Sequence, residues 1–255
     1  MPSFRFLSSA LFALALCGAP ISASAQSFND SQRGDIEKIV REYLIAHPEV
    51  LEEAMTELSK RQSAAEAAKH EAGVASNAEA IFNSPRNVTL GNKDGDVTFV
   101  EFFDYNCGYC KRAMTDMMDL MKADPKLKIV LKEFPVLSAG SVEAAQVGVA
   151  VRMQDPTGKK YLDFHQKLLT GRGAADKARA MQAAKEAGLD TARIEKDIAS
   201  PEVRATIEEN FKLAEAMVMN GTPSYVIGKQ IVVGAVGLDG LKEKIGIARC
   251  GKATC

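Results

Sequence analysis

Two cysteines separated by two residues are the clearest chemical feature of the sequence, in the motif Cys107-Gly108-Tyr109-Cys110. The aromatic and β-branched run at 97–103 comes just before them and predicts a buried strand. The segment that follows has apolar residues at helical spacing, which predicts a helix that begins at the pair. The first sulfur would then lie at a helix N-terminus, where free amides and the helix dipole favour a thiolate. The second would lie one turn further on, so the motif predicts a thiol–disulfide centre.

This stretch resembles the active site of the thioredoxin-fold oxidoreductases, specifically the DsbA family. The resemblance implies that Cys107 and Cys110 are catalytic and form a redox-active disulfide. Strong DsbA oxidants carry Pro-His between the cysteines, whereas this chain has Gly108-Tyr109. A helix terminus alone is worth about 0.3–2 kcal/mol, which lowers a thiol pKa by roughly one unit or less. We therefore expect Cys107 to be less acidic than in a Pro-His site, and its disulfide to be a milder oxidant.

A proline follows the helical part of the chain, in Gly221-Thr222-Pro223-Ser224. Most X-Pro bonds are trans, and only about one in twenty is cis in folded proteins. The resemblance nevertheless implies that Pro223 belongs to the cis-proline loop that faces the cysteine pair in thioredoxin-like sites. In that arrangement the backbone of Thr222 would point toward Cys107 and could hydrogen-bond an extended substrate segment.

Glu101 is a carboxylic acid within the predicted central strand. It alternates with Phe99 and Phe103 and would lie on a buried face, where an ionised carboxylate is unfavourable. One interpretation is structural: the strand end twists toward water, or Glu101 pairs with Lys132 on the neighbouring strand. The other is functional: a buried acid, its pKa raised by desolvation, exchanges the proton of Cys110. DsbA-like proteins have an acid at the matching position, so we favour the functional interpretation, with which a Glu101–Lys132 pair is compatible.

The first 25 residues have the features of a secretory signal. Arg5 is their only charged residue, an apolar stretch covers 6–17, and small residues end the segment at Ala25. We expect cleavage after Ala25 and export to the periplasm, in preference to lipid attachment at Cys17. Removal of one arginine changes the formal net charge from −1 to −2. No basic excess indicates a nucleic-acid partner.

Four cysteines remain after cleavage, and an even number in an oxidising compartment favours disulfides over zinc. For Cys250 and Cys255 we favour a structural disulfide, which would contribute about 2 kcal/mol across so short a loop. A redox or copper-binding role for this pair stays open. Four methionines share one face of the predicted helix: Met114, Met117, Met118 and Met121. Core filling is favoured over Cu(I) binding for this set, and no metal or cofactor is expected.

The chain divides into a predicted helical arm with a spacer at 26–84 and a main domain at 85–255. In the arm, apolar residues at helical spacing predict one helix near 36–44 and another near 50–58. An Ala-rich, charged stretch follows and predicts an exposed helical spacer that is broken near Gly73. The apolar stripe of the two helices must be buried, either against the main domain or against further copies of the arm.

The main domain has the pattern of an α/β protein. Strands are predicted at 87–90, 97–103 and 127–134, a helical block at about 138–217, a hairpin at 224–233 and a last helix at 238–247. The strands at 97–103 and 127–134 are expected to be parallel, as in a βαβ unit. This order is similar to the thioredoxin fold with the inserted helical domain that the DsbA family has.

The arm resembles the N-terminal segment of suppressor-of-copper-sensitivity protein C-like exported proteins. Some of these oligomerise through that segment and act as disulfide isomerases, which implies a homo-oligomer formed through 26–60. The leading interpretation is therefore a periplasmic disulfide isomerase or reductase acting on exported proteins with cysteines. A membrane redox partner would maintain its cysteines. The alternatives are a monomeric DsbA-like dithiol oxidase and a periplasmic copper-binding or chaperone-like protein.

Overall fold

The computed structural model describes residues 28–155 and 157–255, so the predicted signal segment lies outside the described residues. The chain forms two compact units, which meet in sequence between Leu58 and Ser59. The first unit contains helix α1 (Asp30–Ala46) and the beginning of helix α2 (Glu49–Ser76). Both helices predicted for the arm are therefore present.

Helix α2 continues past the predicted break near Gly73, so that prediction is wrong. Glycine lowers helix stability by only about 1 kcal/mol relative to alanine, which does not by itself end a helix. Here Gly73 allows a close approach, since a Cβ at this position would lie 2.8 Å from the carbonyl oxygen of Ala216. Nearby Val74 is buried, so the end of the predicted spacer packs within the second unit.

The second unit is built on a mixed five-stranded sheet with the order β1-β3-β2-β4-β5. Its strands are β1 (Val88–Gly91), β2 (Val97–Phe103), β3 (Leu127–Glu133), β4 (Ser224–Ile227) and β5 (Gln230–Val233). Strands β2 and β3 are parallel, as predicted, and the other neighbours are antiparallel. The β4–β5 pair is the predicted hairpin.

Helices cover both faces of this sheet. They are α3 (Ala78–Phe82), α4 (Gly108–Ala123), α5 (Ala139–Gln154), α6 (Lys159–Thr170), α7 (Lys177–Glu186), α8 (Thr191–Asp197), α9 (Pro201–Ala216) and α10 (Gly237–Cys250). Helices α5 to α9 form the block predicted at about 138–217, and α10 is the predicted last helix. The prediction of an α/β thioredoxin fold with a helical insertion is confirmed. Among the described residues, no helix has the combination of length and apolar character needed to cross a membrane.

Strand β2 contributes to two hydrophobic clusters, one on each face of the sheet. Phe99 and Phe103 belong to the cluster that includes Met114 and Met117 of α4, with Met118 and Met121 packed at its edge. Val100 and Phe102 belong to the cluster that includes Val74 and Ile81. Burial on both faces explains why β2 is an almost continuous apolar run. The methionine face of α4 is therefore part of the core.

Candidate active site

The two cysteines of the motif lie where strand β2 leads into helix α4. Cys107 is the N-cap residue of α4, and its backbone is still extended, with φ −79° and ψ 116°. Cys110 lies in the first turn of the helix. Both are free thiols. Both belong to the same buried hydrophobic cluster, but Cys107 keeps 6% of its surface exposed beside the exposed residues Gly108 and Tyr109, whereas Cys110 keeps only 1%.

The two sulfurs have pKa values shifted in opposite directions. The Cys110 thiol donates a hydrogen bond that lowers the pKa of Cys107 to about 5, with smaller contributions from the Thr222 side chain and the amides of Cys110 and Tyr109. Burial opposes this shift. The same contact with Cys107 raises the pKa of Cys110, and burial raises it further. At neutral pH the site therefore contains one thiolate, on Cys107, and one buried thiol, on Cys110.

The loop before β4 faces this thiolate. The Thr222–Pro223 peptide bond is cis. The carbonyl oxygen of Thr222 lies 3.2 Å from Sγ of Cys107, within reach of a hydrogen bond from the thiol form. The structure thus brings Thr222 and Pro223, which are 115 residues or more from Cys107 in sequence, to the same site.

Glu101 is 3% exposed and lies on the face of β2 that carries α4. Burial raises its pKa to about 8, and the negative charges of Cys107 and Asp116 add to the shift. Its charge in turn contributes to the raised pKa of Cys110. Glu101 is therefore mostly protonated at neutral pH, and it lies close enough to the cysteine pair for the charge of the pair to affect its pKa. These are the properties that a proton donor and acceptor for Cys110 requires.

Lys132 does not form the ion pair with Glu101 that was considered from the sequence, so its assignment as a supporting residue of the active site is wrong. Lys132 is paired in the sheet with Phe102, so the alternation of the strands places it on the opposite face from Glu101. Its ammonium group donates to the carbonyl oxygen of Ala80 at 3.0 Å and to Oδ1 of Asn87 at 2.6 Å. Burial lowers its pKa to about 8. Lys132 thus connects α3 to the sheet, away from the cysteines.

The loop that leads into Cys107 is fixed by two polar side chains that the sequence analysis did not identify. The Asp104 carboxylate accepts hydrogen bonds from the amides of Asn106, Val136 and Leu137 at 2.7–3.0 Å. The Asn106 side chain accepts from the amide of Ala175 at 2.7 Å and donates to its carbonyl oxygen at 2.8 Å. Apart from the local bond between Asp104 and the Asn106 amide, the partners lie 32 to 69 residues away, so only the folded chain reveals these roles.

A buried cluster of polar side chains joins the same loop to the helical insertion. Oε1 of Glu133 accepts hydrogen bonds from Tyr105 at 3.1 Å and from Tyr161 at 2.8 Å. His165 lies 3.3 Å from the Tyr105 hydroxyl. Burial raises the pKa of Glu133 and lowers that of His165 to about 3. In the sequence, this cluster is indicated only by polar residues that lie among the apolar positions of 161–168. Nothing in that pattern shows which residues they contact.

Cys250 and Cys255 form a disulfide in the structure. Arg249, next to it, binds Asp96 and Asp124, which lie at the start of β2 and at the end of α4. Cys107 lies beyond the other end of β2, and seven strand residues span about 20 Å. Cys250 and Cys255 are therefore too far from Cys107 for thiol–disulfide exchange within one chain. Among the described residues, no group of three or more His, Cys, Asp or Glu side chains is arranged to hold a metal ion.

A cysteine pair at the start of the helix after a central parallel strand, faced by a cis-proline loop, defines the class of thioredoxin-fold thiol–disulfide oxidoreductases. The chain belongs to the family described as the DSBA-like thioredoxin domain, whose sequence model matches residues 98–246. A second family model, the copper resistance protein ScsC N-terminal domain, matches residues 32–65. The predicted membership of a DsbA-like, ScsC-like family is confirmed.

Solved structures agree with this family. A thioredoxin-like oxidoreductase from Silicibacter pomeroyi is 42% identical, with a TM-score of 0.64, over 67% of this chain and 96% of that one. A linker-deletion mutant of ScsC from Proteus mirabilis is 28% identical, with a TM-score of 0.65, over 88% and 98%. BcfH from Salmonella enterica Typhimurium is 27% identical, with a TM-score of 0.74, over 86% and 96%.

Curated relatives are matched over a smaller share of their length. The chain is 26% identical to the thiol:disulfide interchange protein DsbA of Bordetella pertussis, over 56% of this chain and 68% of that protein. It is also 30% identical to the Na(+)/H(+) antiporter NhaA of Herminiimonas arsenicoxydans, over 54% of this chain but only 21% of the antiporter.

Proposed function

We propose that the protein is a disulfide isomerase or reductase that acts on exported proteins through Cys107. The observation that carries this proposal is the separation of the two sulfurs into a stabilised thiolate on Cys107 and a buried thiol on Cys110. The Cys107 thiolate attacks a substrate disulfide, forms a mixed disulfide and releases one substrate thiolate. The mixed disulfide is then resolved by a substrate thiolate, which rearranges the substrate, or by Cys110, which reduces it.

Glu101 is proposed to accept and return the proton of Cys110 when Cys110 resolves the mixed disulfide. Cys110 must lose a proton before it can attack the mixed disulfide, because only the thiolate is nucleophilic. A carboxyl group whose pKa is about 8 is poised to accept and return a proton near neutral pH. Thr222 and Pro223 are proposed to bind an extended substrate segment across from Cys107, as an added strand. Gly108 and Tyr109 complete the proposed site.

Self-association through residues 26–60 is the second part of the proposal. None of the residues of α1 is buried. Large apolar side chains of the arm are exposed at one-third to three-quarters of their area: Ile36, Ile39, Val40, Tyr43, Leu51, Met55 and Leu58. Such a stripe is stabilised by contact with a second copy of itself. Several active sites in one assembly would favour isomerisation, because a substrate released by one thiol can be captured by another.

Export is proposed on the sequence features of residues 1–25, with cleavage after Ala25 and action in the periplasm. The proposed domains are the arm and spacer at 26–84 and the thioredoxin-like domain at 85–255. A membrane redox partner is proposed to keep Cys107 and Cys110 reduced. The family matches at 32–65 and 98–246 support the proposed division of the chain.

A refolding assay tests the proposal directly. The chain from residue 26 onward and the same chain without residues 26–60 are compared by light scattering and by reactivation of scrambled ribonuclease. We expect the longer chain to be oligomeric and to reactivate ribonuclease, and the shorter chain to be monomeric and less active in reactivation. A Cys107→Ser variant is the inactive control. Equal reactivation by monomer and oligomer would reject the role of the arm.

A monomeric dithiol oxidase is the second candidate, and the thiolate itself favours it. A low pKa of Cys107 stabilises the reduced protein, and this makes the disulfide form a better oxidant. The assay separates the two candidates when it is started with reduced, unfolded ribonuclease and oxidised protein. A monomer that oxidises the substrate but does not reactivate the scrambled form would replace the isomerase proposal with the oxidase.

A further inference from the structure

The first two turns of α4, next to the cysteine pair, carry two basic residues. Lys111 and Arg112 follow the cysteine motif, and the first turn of α4 contains no acidic residue. Cations near a helix N-terminus are unfavourable by about the amount that anions are favourable there. Helix stability therefore does not explain why Lys111 and Arg112 lie at this end of α4.

The conformation of Arg112 is specific. Asp116 lies four residues further along the helix, at the spacing of an intrahelical ion pair, yet Arg112 makes no ion pair with it within 4.0 Å. Its guanidinium instead lies 4.4 Å from the centroid of the Tyr109 ring, one turn closer to Cys107. A guanidinium over an aromatic ring is held by a cation–π interaction, which leaves its N–H groups free for other partners.

This charge is not directed at the thiolate. The largest contributions that lower the pKa of Cys107 come from Cys110, Thr222 and two backbone amides, and not from Lys111 or Arg112. The guanidinium is therefore available to a molecule that approaches Cys107 from solvent. Tyr109 is 57% exposed, so the pair lies on the surface that such a molecule meets.

We propose that Arg112, held by Tyr109, selects substrate segments that carry a carboxylate close to the cysteine under attack. The helix rises about 1.5 Å per residue, so the Cα of Arg112 lies about 7.5 Å along the axis from Cys107, and its side chain turns back over Tyr109. An extended polypeptide advances about 3.3–3.6 Å per residue. A Glu or Asp one to three residues from the substrate cysteine is therefore within reach of the guanidinium. This inference rests on the proposed exchange at Cys107 and adds a substrate class to it.

The test uses three peptides that each contain one internal disulfide and differ only in the flanking residues, which are Glu, Gln or Lys. Fully reduced protein in excess reduces the peptide in a single turnover. Cys107 attacks the peptide disulfide, Cys110 displaces the second peptide sulfur, and the protein ends as the disulfide while the peptide gains both thiols. We measure the second-order rate constant for each peptide at low and at high salt.

We expect wild-type protein to reduce the Glu peptide about two- to fivefold faster than the Gln peptide, the range that an exposed ion pair supports, and the Lys peptide slowest. High salt should reduce the difference. Arg112→Gln should remove most of this preference, and Arg112→Glu should reverse it. Lys122→Gln, an exposed cation in the last turn of the same helix, should leave the order unchanged.

Equal ratios in wild type and Arg112→Gln would overturn the inference, as would a wild-type protein that does not distinguish the peptides. A uniform change of all three rates in Arg112→Gln would also overturn it, because that result indicates an effect on the thiolate and not on substrate choice. If no peptide is reduced although both thiols are free, the proposed function fails, and this outcome differs from loss of the charge preference.

Discussion

At the scale of single residues, the asymmetry between the two sulfurs decides the chemistry. The dominant stabilising contact of the Cys107 thiolate is the Cys110 thiol, ahead of the helix amides. From the sequence we expected the helix terminus, and the two residues between the cysteines, to supply this stabilisation. The difference arises because the N-cap geometry places the second cysteine one turn below the first, where its S–H points at the thiolate.

Replacement of Cys110 should therefore raise the pKa of Cys107. A hydrogen bond to a charged group contributes about 1.5–3 kcal/mol, and one pKa unit corresponds to about 1.4 kcal/mol. We expect Cys110→Ala to raise the pKa of Cys107 by about one to two units, and Cys110→Ser, which keeps a donor, to raise it less. Ultraviolet absorbance of the thiolate across pH measures both values. Identical values in the wild type and both variants would show that Cys110 does not stabilise the thiolate.

Glu101 should make the folded protein less stable as the pH rises, and replacement of Glu101 should remove this dependence. Its pKa is about 8 in the folded chain against 4.5 for the ordinary carboxyl group. Between these values the folded state binds more protons than the unfolded state, so stability falls as pH rises from 4.5 to 8. We expect Glu101→Gln to flatten this part of the dependence of Tm on pH. The slope is measured on the oxidised protein, in which neither cysteine titrates and burial, the largest cause of the raised pKa, is the part of the shift that is tested. An unchanged slope in Glu101→Gln would contradict the buried carboxyl assignment.

At the scale of elements, the close approach of α2 to α9 depends on one glycine. An alanine at an exposed helical glycine position is worth up to about 1 kcal/mol of added stability. At Gly73 the new Cβ would lie 2.8 Å from a backbone oxygen, so we expect Gly73→Ala to lower Tm in spite of its better propensity. Gly34→Ala in α1 is the matched control, because a Cβ there meets nothing within 4 Å. A higher Tm for Gly73→Ala would show that the two helices separate readily.

The elements that could be predicted from sequence are those whose signal is local. Strand β2 was predicted at its observed limits because its run is apolar on both faces, and the hairpin because a Gly-Lys turn separates two β-branched segments. The errors at Gly73 and Lys132 have one cause. Each residue is placed by a partner far along the chain, Ala216 and Ala80 respectively, which no local pattern encodes.

The active site shows the same division between residues with a local sequence signal and residues placed by distant partners. Cys107 and Cys110 are three positions apart in sequence and were found from their spacing, and Pro223 was found only because the family resemblance supplied its partner. The polar cluster around Glu133 was missed because its members come from three elements: Tyr105 before α4, Glu133 in β3, and Tyr161 in α6. Periodicity indicates that such residues are buried, but it does not show which of them meet.

At the scale of the whole molecule, the arm has an apolar side that favours association. The first unit exposes eight large apolar side chains on two helices and buries none of the residues of α1. Isolated helices of this length are marginally stable in water, so helices that expose an apolar stripe gain stability by burying it against another surface. Association of several copies through this stripe would bring more than one Cys107 into a single assembly.

A charge introduced into the stripe should separate the copies without affecting the catalytic unit. Ile39 is 64% exposed, so Ile39→Glu is tolerated by the isolated arm, but it would bury a carboxylate at an interface between copies. We expect the variant to lose oligomer mass in light scattering and to lose scrambled-ribonuclease reactivation, while single-turnover reduction of a small disulfide peptide stays near the wild-type rate. Thr56→Glu adds the same charge off the apolar stripe of α2 and should remain assembled. If Ile39→Glu and Thr56→Glu keep the same mass, the apolar stripe is not where the copies meet, and isomerase activity has to be explained by a single chain.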